Sequence, residues 1–293
     1  MTMIPHLQAG SGFLCASADY ATADWVILGV PMDYTTSFRP GTRLAPQRIR
    51  EASLMGMEWY SPVANADLNE RKFYDAGDLD LVIGDAAASL NCIREATMQL
   101  LADRKRPMLI GGEHLLSLAS IESVAACYPD LVVLHFDAHT DLRQEFYGNE
   151  LSHATVMRHA YKSLKPGHLH QFGIRSGDRA EFVWATSNIS QHRDEVLEPL
   201  IATLPQIKDL PVYISLDIDV LDPAYAPGTG TPEAGGITSK EMLAAIKAMA
   251  GLNVVAMDLV EVSPLNDPDG RTSVLAAKII REALLEFTKI YQS

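Results

Sequence analysis

The chain has 293 residues, of which 47% are hydrophobic and 21% are charged, a composition typical of a globular protein. Its formal net charge of −13 argues against nucleic acid or an anionic membrane surface as a partner, and it is compatible with a small cationic substrate. The 3 cysteines are an odd and scattered set, which argues against a disulfide framework.

Strand-like and helix-like segments alternate along almost the whole chain. The apolar run Trp25–Val30 predicts a first strand, and residues 45–55 predict a helix with Pro46 in its first turn. Thr238, followed three residues later by Glu241, predicts a capping box at the start of a late helix. The remaining predicted elements are helix 86–104, strand 107–110, helix 115–126, strand 131–136, helix 153–162, strand 170–174, helix 194–206, strand 212–217, helix 238–250, strand 254–257 and helix 273–290.

Continuous apolar strands that alternate with helices are typical of a parallel sheet covered on both faces. We find no internal repeat, low-complexity segment or linker in the sequence. The prediction is therefore a single α/β domain over residues 1–293, with three layers, α/β/α, and a mostly parallel central sheet. No apolar run approaches the roughly 20 residues that span a bilayer, and residues 1–12 lack the pattern of a signal peptide. We expect a cytoplasmic protein.

Two clusters of metal-ligating residues follow two of the predicted strands. Asp137, His139 and Asp141 come after the first strand, and Asp217 and Asp219 come after the second. Side chains at i and i+2 of an extended segment point the same way, so each cluster can present a pair of ligands to one cavity. Carboxylates with imidazole and without thiolate suit Mn²⁺ better than a structural zinc.

Two further candidates end two other predicted strands: His114 after 107–110, and Glu261 after the strand that starts at 254. Taken alone, an Asp-x-Asp pair is more often a loop cap, and His114 can be a residue of the following helix start. In parallel α/β sheets, however, ligands bind beyond the carboxyl ends of the strands, and all of these residues lie there. This coincidence favours a metal site.

Five segments resemble the motifs of the ureohydrolases, the arginase and agmatinase superfamily. They are Gly-Gly-Glu-His at 111–114, Asp-Ala-His-Thr-Asp at 137–141, Ser-His at 152–153, the segment 215–232 and Asp-Leu-Val-Glu-Val-Ser-Pro at 258–264. The resemblance runs in order from about Gly29 to the final helix, and it looks closest to bacterial agmatinases, including the segment 38–43. It implies an arginase-like fold.

The resemblance also implies two Mn²⁺ ions per subunit. The first ion would be held by His114, Asp137, Asp141 and Asp217, and the second by Asp137, His139, Asp217 and Asp219. Asp137 and Asp217 would bridge the two ions. Four carboxylates would balance the charge of two divalent ions, and without metal they would repel one another and take up protons.

The activity implied is hydrolysis of a guanidino group, with agmatine giving putrescine and urea, by attack of a metal-bridging hydroxide on the guanidinium carbon. By motif match, Glu261 would bind the guanidinium and Asp141 would pass a proton to the leaving amine. His153 would contact the substrate and act as a proton shuttle. The resemblance further implies a homo-oligomer, a trimer or a hexamer.

The substrate tail is expected to contact the 142–152 loop. Arginases typically have Asn at the position of Arg143, which makes arginine a weak candidate. An ammonium tail would need an acceptor, and Glu150, Glu145 and Tyr147 are candidates in this loop, whereas Arg143 would favour a carboxylate tail as in guanidinobutyrate. Agmatine is the first choice. The alternatives are another guanidino or formimino compound, such as guanidinobutyrate or formiminoglutamate, and a non-catalytic arginase-like binding protein.

Four other residues bear on the site. Glu113 stands where the family usually has Asp, and Ala154 stands where Gly often follows Ser-His, so both are expected to affect loop geometry rather than metal binding. Asp258 is expected to support the site from behind the ligands. His135 lies further back in its strand than Asp137, and we interpret it as a packed core histidine.

Overall fold

The computed structural model describes residues 4–8, 12–16 and 18–288, and these contain eleven strands and eight α-helices. The strands are β1 (Leu7–Gln8), β2 (Trp25–Val30), β3 (Tyr60–Ser61), β4 (Ala66–Asp67), β5 (Phe73–Leu79), β6 (Arg106–Gly111), β7 (Val132–Phe136), β8 (Leu169–Ile174), β9 (Ser190–Arg193), β10 (Pro211–Asp217) and β11 (Asn253–Val260). The helices are α1 (Ala45–Gly56), α2 (Ala86–Ala102), α3 (Leu116–Cys127), α4 (Val156–Ala160), α5 (Arg179–Asn188), α6 (Leu197–Ile207), α7 (Ser239–Ala248) and α8 (Arg271–Phe287).

Nine of the strands form one sheet in the order β1-β5-β2-β6-β11-β10-β7-β8-β9. Only β1, at one edge, runs antiparallel to its neighbour, and the other strands of this sheet pair in parallel. The short strands β3 and β4 form a separate antiparallel pair. The mostly parallel sheet confirms the prediction from the uninterrupted apolar strands.

Alternate residues of each central strand pack into two different hydrophobic cores. In β2, Trp25 and Ile27 face a core shared with α1, α6, α7 and α8, whereas Val26 and Leu28 face a core shared with α2, α3 and α4. Both faces of the sheet are therefore covered, which confirms the three-layer α/β/α architecture. Among the helices of the described residues, none is both long and apolar enough to cross a bilayer.

Most predicted elements are present, with shifted ends. Residues 153–163 form a short helix between two 3₁₀ turns rather than one helix. Thr238 is the N-cap of α7, as predicted, and accepts from the backbone N–H of Glu241, but the reciprocal bond of the predicted capping box is not observed in the described residues. The final helix begins two residues earlier than expected, and the predicted residues 289 and 290 lie outside the described residues. Elements β5, β9 and α5 were not predicted, because their sequences are more polar than those of the central strands and helices.

The sheet order explains where a site forms. Strands β6, β11, β10 and β7 are consecutive neighbours and run in parallel, so their carboxyl ends lie side by side at one edge of the sheet. The loops that carry the predicted ligands all leave the sheet at this edge. Segments that are up to about 150 residues apart in the chain therefore meet in one place, as the rule for open α/β sheets predicts.

Candidate metal centre and active-site cavity

Half of the ligand cluster is arranged around His114, which is 1% exposed. Its Nδ1 lies 3.2 Å from one carboxylate oxygen of each of three residues, Asp137, Asp141 and Asp217. Three equal distances to three oxygens suit an ion held among them better than a single directed hydrogen bond. All four side chains are buried.

The other half of the cluster is arranged around His139. Its Nδ1 lies 2.9 Å from Oδ2 of Asp219 and 3.5 Å from Oδ1 of Asp137, and the ligand atoms of these three residues are close enough to share one cation. Asp137 belongs to both halves, since it also lies within the group around His114. The structure thus brings all six predicted ligands together, in a buried His/Asp cluster suited to two metal ions.

Hydrogen bonds behind His114 direct its Nδ1 towards the cluster. The Ser215 hydroxyl donates to Asp258 Oδ1 at 2.8 Å, so its oxygen accepts the proton of His114 Nε2 at 3.0 Å. In the neutral form of the imidazole, Nδ1 is therefore the unprotonated nitrogen, and it faces the carboxylates. This Nδ1 and Asp219 Oδ2 are both buried and have no hydrogen-bond partner in the described residues. Asp258 supports the site from behind, as predicted, and it also accepts from Tyr213 at 2.6 Å.

Without a metal ion, the pKa values of several groups in the cluster are raised. Burial, followed by the neighbouring Asp137, raises the pKa of Asp141 to about 6. Burial, followed by Asp219 and Asp137, raises the pKa of Asp217 well above its usual range. Although burial opposes it, hydrogen bonding to the surrounding carboxylates raises the pKa of His114 well above its usual value. A cation in the cluster would replace the protons that these raised pKa values favour, and the donor set fits divalent metal ions.

Two site residues adopt a backbone conformation that is uncommon for residues with a side chain. Asp141 has a φ of 52° and Glu261 a φ of 63°, both in the left-handed region. The carbonyl of Asp141 accepts from the backbone N–H groups of Met157 and Arg158, which holds this turn in place. Such conformations persist only where the surrounding structure imposes them, and they are typical of functional sites.

A cavity of about 250 Å³ opens above the cluster, with His114, His139, Asp141 and Glu261 among its lining residues. Glu261 is 3% exposed, and its Oε1 accepts from the backbone N–H of His114 at 2.7 Å. Burial, with a contribution from Glu113, raises the pKa of Glu261 well above its usual range. A buried carboxylate of this kind is stabilised in its charged form by a cation that enters the cavity.

His153 also lines the cavity, and its Nε2 is buried without a hydrogen-bond partner in the described residues. Burial, followed by His139 and His114, lowers the pKa of His153 to about 4, so the ring is neutral near pH 7. Its backbone N–H donates to the Thr35 hydroxyl, which in turn donates to Glu113 at 2.7 Å. Glu113, the departure from the usual Asp, therefore fixes the 31–44 loop against His153.

Arg143 lines the cavity, and two acidic residues already pair with its guanidinium. Its Nη1 lies 2.9 Å from Asp178 Oδ2, and its Nε lies 3.6 Å from Glu181 Oε2. The guanidinium also lies over the ring of Phe146, 5.0 Å from the ring centre. Asp178 and Glu181 were not predicted as partners of Arg143, because they lie at the start of α5, which was itself not predicted. The pattern Asp178-x-x-Glu181 is a capping-box signal that could have revealed them.

The other tail-binding candidates lie in a different position. Glu145, Tyr147 and Glu150 are exposed, and none of them lines this cavity. The contact of Glu150 with a substrate stays a prediction. His135 is fully buried, as predicted for a core residue, but it is more than packing: its Nε2 lies 2.8 Å from Oδ2 of Asp137.

The sequence matches the arginase family over residues 23–286. The chain belongs to the arginase family. It is 48% identical over 284 residues to an agmatinase of Bacillus subtilis (strain 168), and the aligned region covers 96% of this chain and 98% of that protein. Its fold is similar to the crystal structure of an agmatine ureohydrolase of Thermoplasma volcanium, with a TM-score of 0.87, 30% identity and coverage of 96% of this chain and 95% of the other. It is also similar to proclavaminate amidino hydrolase from Streptomyces clavuligerus, with a TM-score of 0.85, 33% identity and coverage of 97% and 98%. Membership confirms the resemblance seen in the motifs.

Proposed function

We propose that this protein hydrolyses agmatine to putrescine and urea with two Mn²⁺ ions bound in the His/Asp cluster. The observation that carries the proposal is the position of the buried Glu261 beside that cluster, in one cavity. A guanidinium in this cavity would meet a carboxylate and the metal centre together. Two agmatinase relatives at 48% identity, from Bacillus subtilis (strain 168) and Halalkalibacterium halodurans, support agmatine as the substrate.

One ion would be held by His114, Asp137, Asp141 and Asp217, and the other by Asp137, His139, Asp217 and Asp219. When bound, two divalent ions lower the pKa of water and so supply hydroxide at neutral pH. Mn²⁺ is the proposed metal because the donors are carboxylates with two imidazoles and no thiolate. The charge of two divalent ions would also balance four carboxylates.

The remaining roles belong to side chains of the cavity. One oxygen of Glu261 is occupied by the backbone N–H of His114, so the other can accept from the planar guanidinium and hold it in place. His153 is neutral, so it can accept a proton at Nε2 and return it to the leaving amine. Asp141, with its raised pKa, is the second candidate for passing that proton.

The arrangement around Arg143 supports a cationic rather than an anionic tail. Its positive charge is paired with Asp178 and approached by Glu181, so this wall of the cavity carries more negative than positive charge. A carboxylate tail beside Arg143 would be repelled by the nearby Asp178 and Glu181. Agmatine, which ends in an ammonium, meets no such cost.

The test is urea release by the metal-stripped protein reconstituted with Mn²⁺, measured with agmatine, arginine, guanidinobutyrate and formiminoglutamate at equal concentrations. We expect agmatine to have the highest kcat/KM by about tenfold or more, which corresponds to about 1.4 kcal/mol. Preferential use of guanidinobutyrate or formiminoglutamate would replace agmatine with that substrate. Binding of two ions without urea release from any of the four would favour a non-catalytic binding protein.

We also propose that residues 1–293 act as one ureohydrolase domain in a cytoplasmic homo-oligomer, a trimer or hexamer, whose partner is a small cationic guanidino substrate rather than nucleic acid or a membrane. The continuous nine-stranded sheet supports one domain, and the three unpaired cysteines, Cys15, Cys92 and Cys127, support a reducing compartment. Sedimentation equilibrium measures the oligomeric state directly. A monomer at micromolar concentration would contradict this part of the proposal.

A further inference from the structure

His135 lies on β7, two residues before Asp137, and its side chain points to the same face of the strand. It is 0% exposed, and its Nε2 is 2.8 Å from Asp137 Oδ2. The other oxygen of Asp137, Oδ1, accepts from the backbone N–H of His139 at 2.5 Å. Each oxygen of the shared carboxylate is therefore held by a separate donor.

Gln171 on β8 fixes which nitrogen of His135 carries the proton. Its Nε2 lies 2.6 Å from the carbonyl of Thr140, which can only accept, so this end of the amide is the NH₂ group. The same NH₂ group lies 2.9 Å from His135 Nδ1, and Gln191 donates to the opposite end, Gln171 Oε1, at 2.9 Å. Nδ1 must accept, so the proton of the imidazole is on Nε2 and is donated to Asp137.

The two oxygens of Asp137 face different halves of the cluster. Oδ2, which His135 holds, lies 3.2 Å from Nδ1 of His114, and Oδ1 lies 3.5 Å from Nδ1 of His139. A carboxylate can bridge two ions through both of its oxygens only if its plane is oriented so that one oxygen faces each ion. The two hydrogen bonds impose this orientation, because a rotation of the carboxylate would break both.

We propose that His135 is a positioning residue for the metal centre, which holds Asp137 in its bridging orientation through a proton that Gln171 directs to Nε2. This inference rests on the proposed metal site, but it concerns how tightly the ions bind rather than which substrate is used. Hydrogen bonds that orient ligating groups from behind typically change metal affinity by about 10- to 100-fold when they are removed.

The test compares three variants with the wild-type protein. His135→Leu removes the donor to Asp137. His135→Gln keeps it, because the glutamine amide places an NH₂ near the position of Nε2 and an oxygen near that of Nδ1, where Gln171 can donate. His170→Leu is the matched control, since His170 is another buried strand histidine and makes no contact with the cluster carboxylates.

Binding of Mn²⁺ to each metal-stripped protein is measured by calorimetry, and the Mn²⁺ concentration for half-maximal urea release is measured separately. For His135→Leu we expect at least one dissociation constant to rise by about tenfold or more, while the KM for agmatine at saturating Mn²⁺ stays near that of the wild type. We expect His135→Gln to bind Mn²⁺ within about threefold of the wild type, and His170→Leu to be unchanged.

Wild-type affinity in a folded His135→Leu protein would overturn the inference, and so would an equal loss in His135→Gln or in His170→Leu. A loss of one whole ion in both His135 variants would identify His135 as a ligand instead, which also overturns it. If His135→Leu does not fold, His135→Asn carries the test: the shorter amide keeps an acceptor for Gln171 but no longer reaches Asp137, so affinity should fall by a similar factor. Failure of the wild-type protein to bind Mn²⁺ would instead refute the proposed metal site.

Discussion

Replacement of Glu261 by glutamine is the most direct test of how the cavity holds a guanidinium. The side chain is 3% exposed, and Oε1 accepts from the backbone N–H of His114 at 2.7 Å. In Glu261→Gln, the amide oxygen has to take this position, because an NH₂ group there would face a donor. The NH₂ group is then directed into the cavity, towards a substrate group that has only donors.

The expected cost follows from this orientation. The variant loses a charge-assisted hydrogen bond, and it also leaves the substrate cation without a counter-charge in a buried site. Breaking a buried charge pair by removing one partner costs about 3–5 kcal/mol. At 1.4 kcal/mol for each factor of ten, kcat/KM for agmatine should fall by about 10²- to 10⁴-fold. Metal binding should not change, because Glu261 is not one of the six candidate ligands and one of its oxygens already accepts from the backbone N–H of His114.

The assay is steady-state urea release together with the metal content of the same samples. Glu198→Gln, an exposed residue on α6, is the control for the same change in net charge and should behave as the wild type. A variant Glu261→Gln with a near-normal kcat/KM would remove this carboxylate from substrate binding. A loss of bound metal in the variant would also refute the reasoning, since Glu261 would then act on the ions rather than on the guanidinium.

Four further predictions follow from the site. Asp137→Asn should reduce bound Mn²⁺ more than Asp219→Asn does, because Asp137 belongs to both halves of the cluster; equal metal contents by mass spectrometry would contradict this. His153→Ala should lower kcat by about 10²-fold or more with partial recovery in added imidazole, and a change confined to KM would argue against a proton shuttle. In the metal-free protein the pKa of Asp141 is raised to about 6, so Mn²⁺ should displace protons below that pH and bind more weakly there. Calorimetry in two buffers of different ionisation enthalpy measures the protons released on binding. We expect more protons to be released near pH 5.5 than near pH 8. Arg143→Ala should change the KM for agmatine by less than about threefold, since Asp178 already pairs with the Arg143 guanidinium. A large fall in kcat/KM for guanidinobutyrate, with agmatine barely used by the wild type, would instead show that Arg143 binds a carboxylate tail.

The ligands could be predicted from the sequence because each cluster is local. Asp137 and His139, like Asp217 and Asp219, are separated by one residue at or just beyond a strand end, and this spacing predicted that each pair would face one cavity. The extended backbone assumed for both pairs is not present throughout, because Asp219 lies in the 3₁₀ turn Ile218–Val220. Their convergence could also be anticipated, because parallel strands share an edge. The hydrogen bond between His135 and Asp137 could not be predicted in this way. The tautomer of His135 depends on Gln171, which lies 36 residues away on a neighbouring strand, and no spacing rule connects them.

Two of the strands that were not predicted, β9 and β5, carry polar or charged side chains. Strand β9 is the edge strand Ser190–Arg193, where polar side chains meet solvent and no apolar run is needed. Strand β5 carries Asp75, which is buried only because Arg50 pairs with it at 2.8 Å. A buried charge is stable only when it is paired, and the pair forms across 25 residues of chain. Hydrophobic patterns therefore identify the centre of this sheet better than its flanks.

The backbone at Asp141 shows how one of these hidden elements acts on the site. Glu181, near the start of α5, accepts with Oε1 from the Thr140 hydroxyl and from the backbone N–H of Leu142. These hydrogen bonds fix the backbone on both sides of Asp141, which has a left-handed conformation. Its Oε2 accepts from the backbone N–H of Asp178, which closes the capping box of the same helix. The carboxylate that starts α5 therefore also holds a candidate metal ligand in an otherwise unfavourable conformation. The local sequence 137–141 supplies the ligand atoms, but a distant helix that pattern reading missed stabilises the turn that directs Asp141 into the cluster.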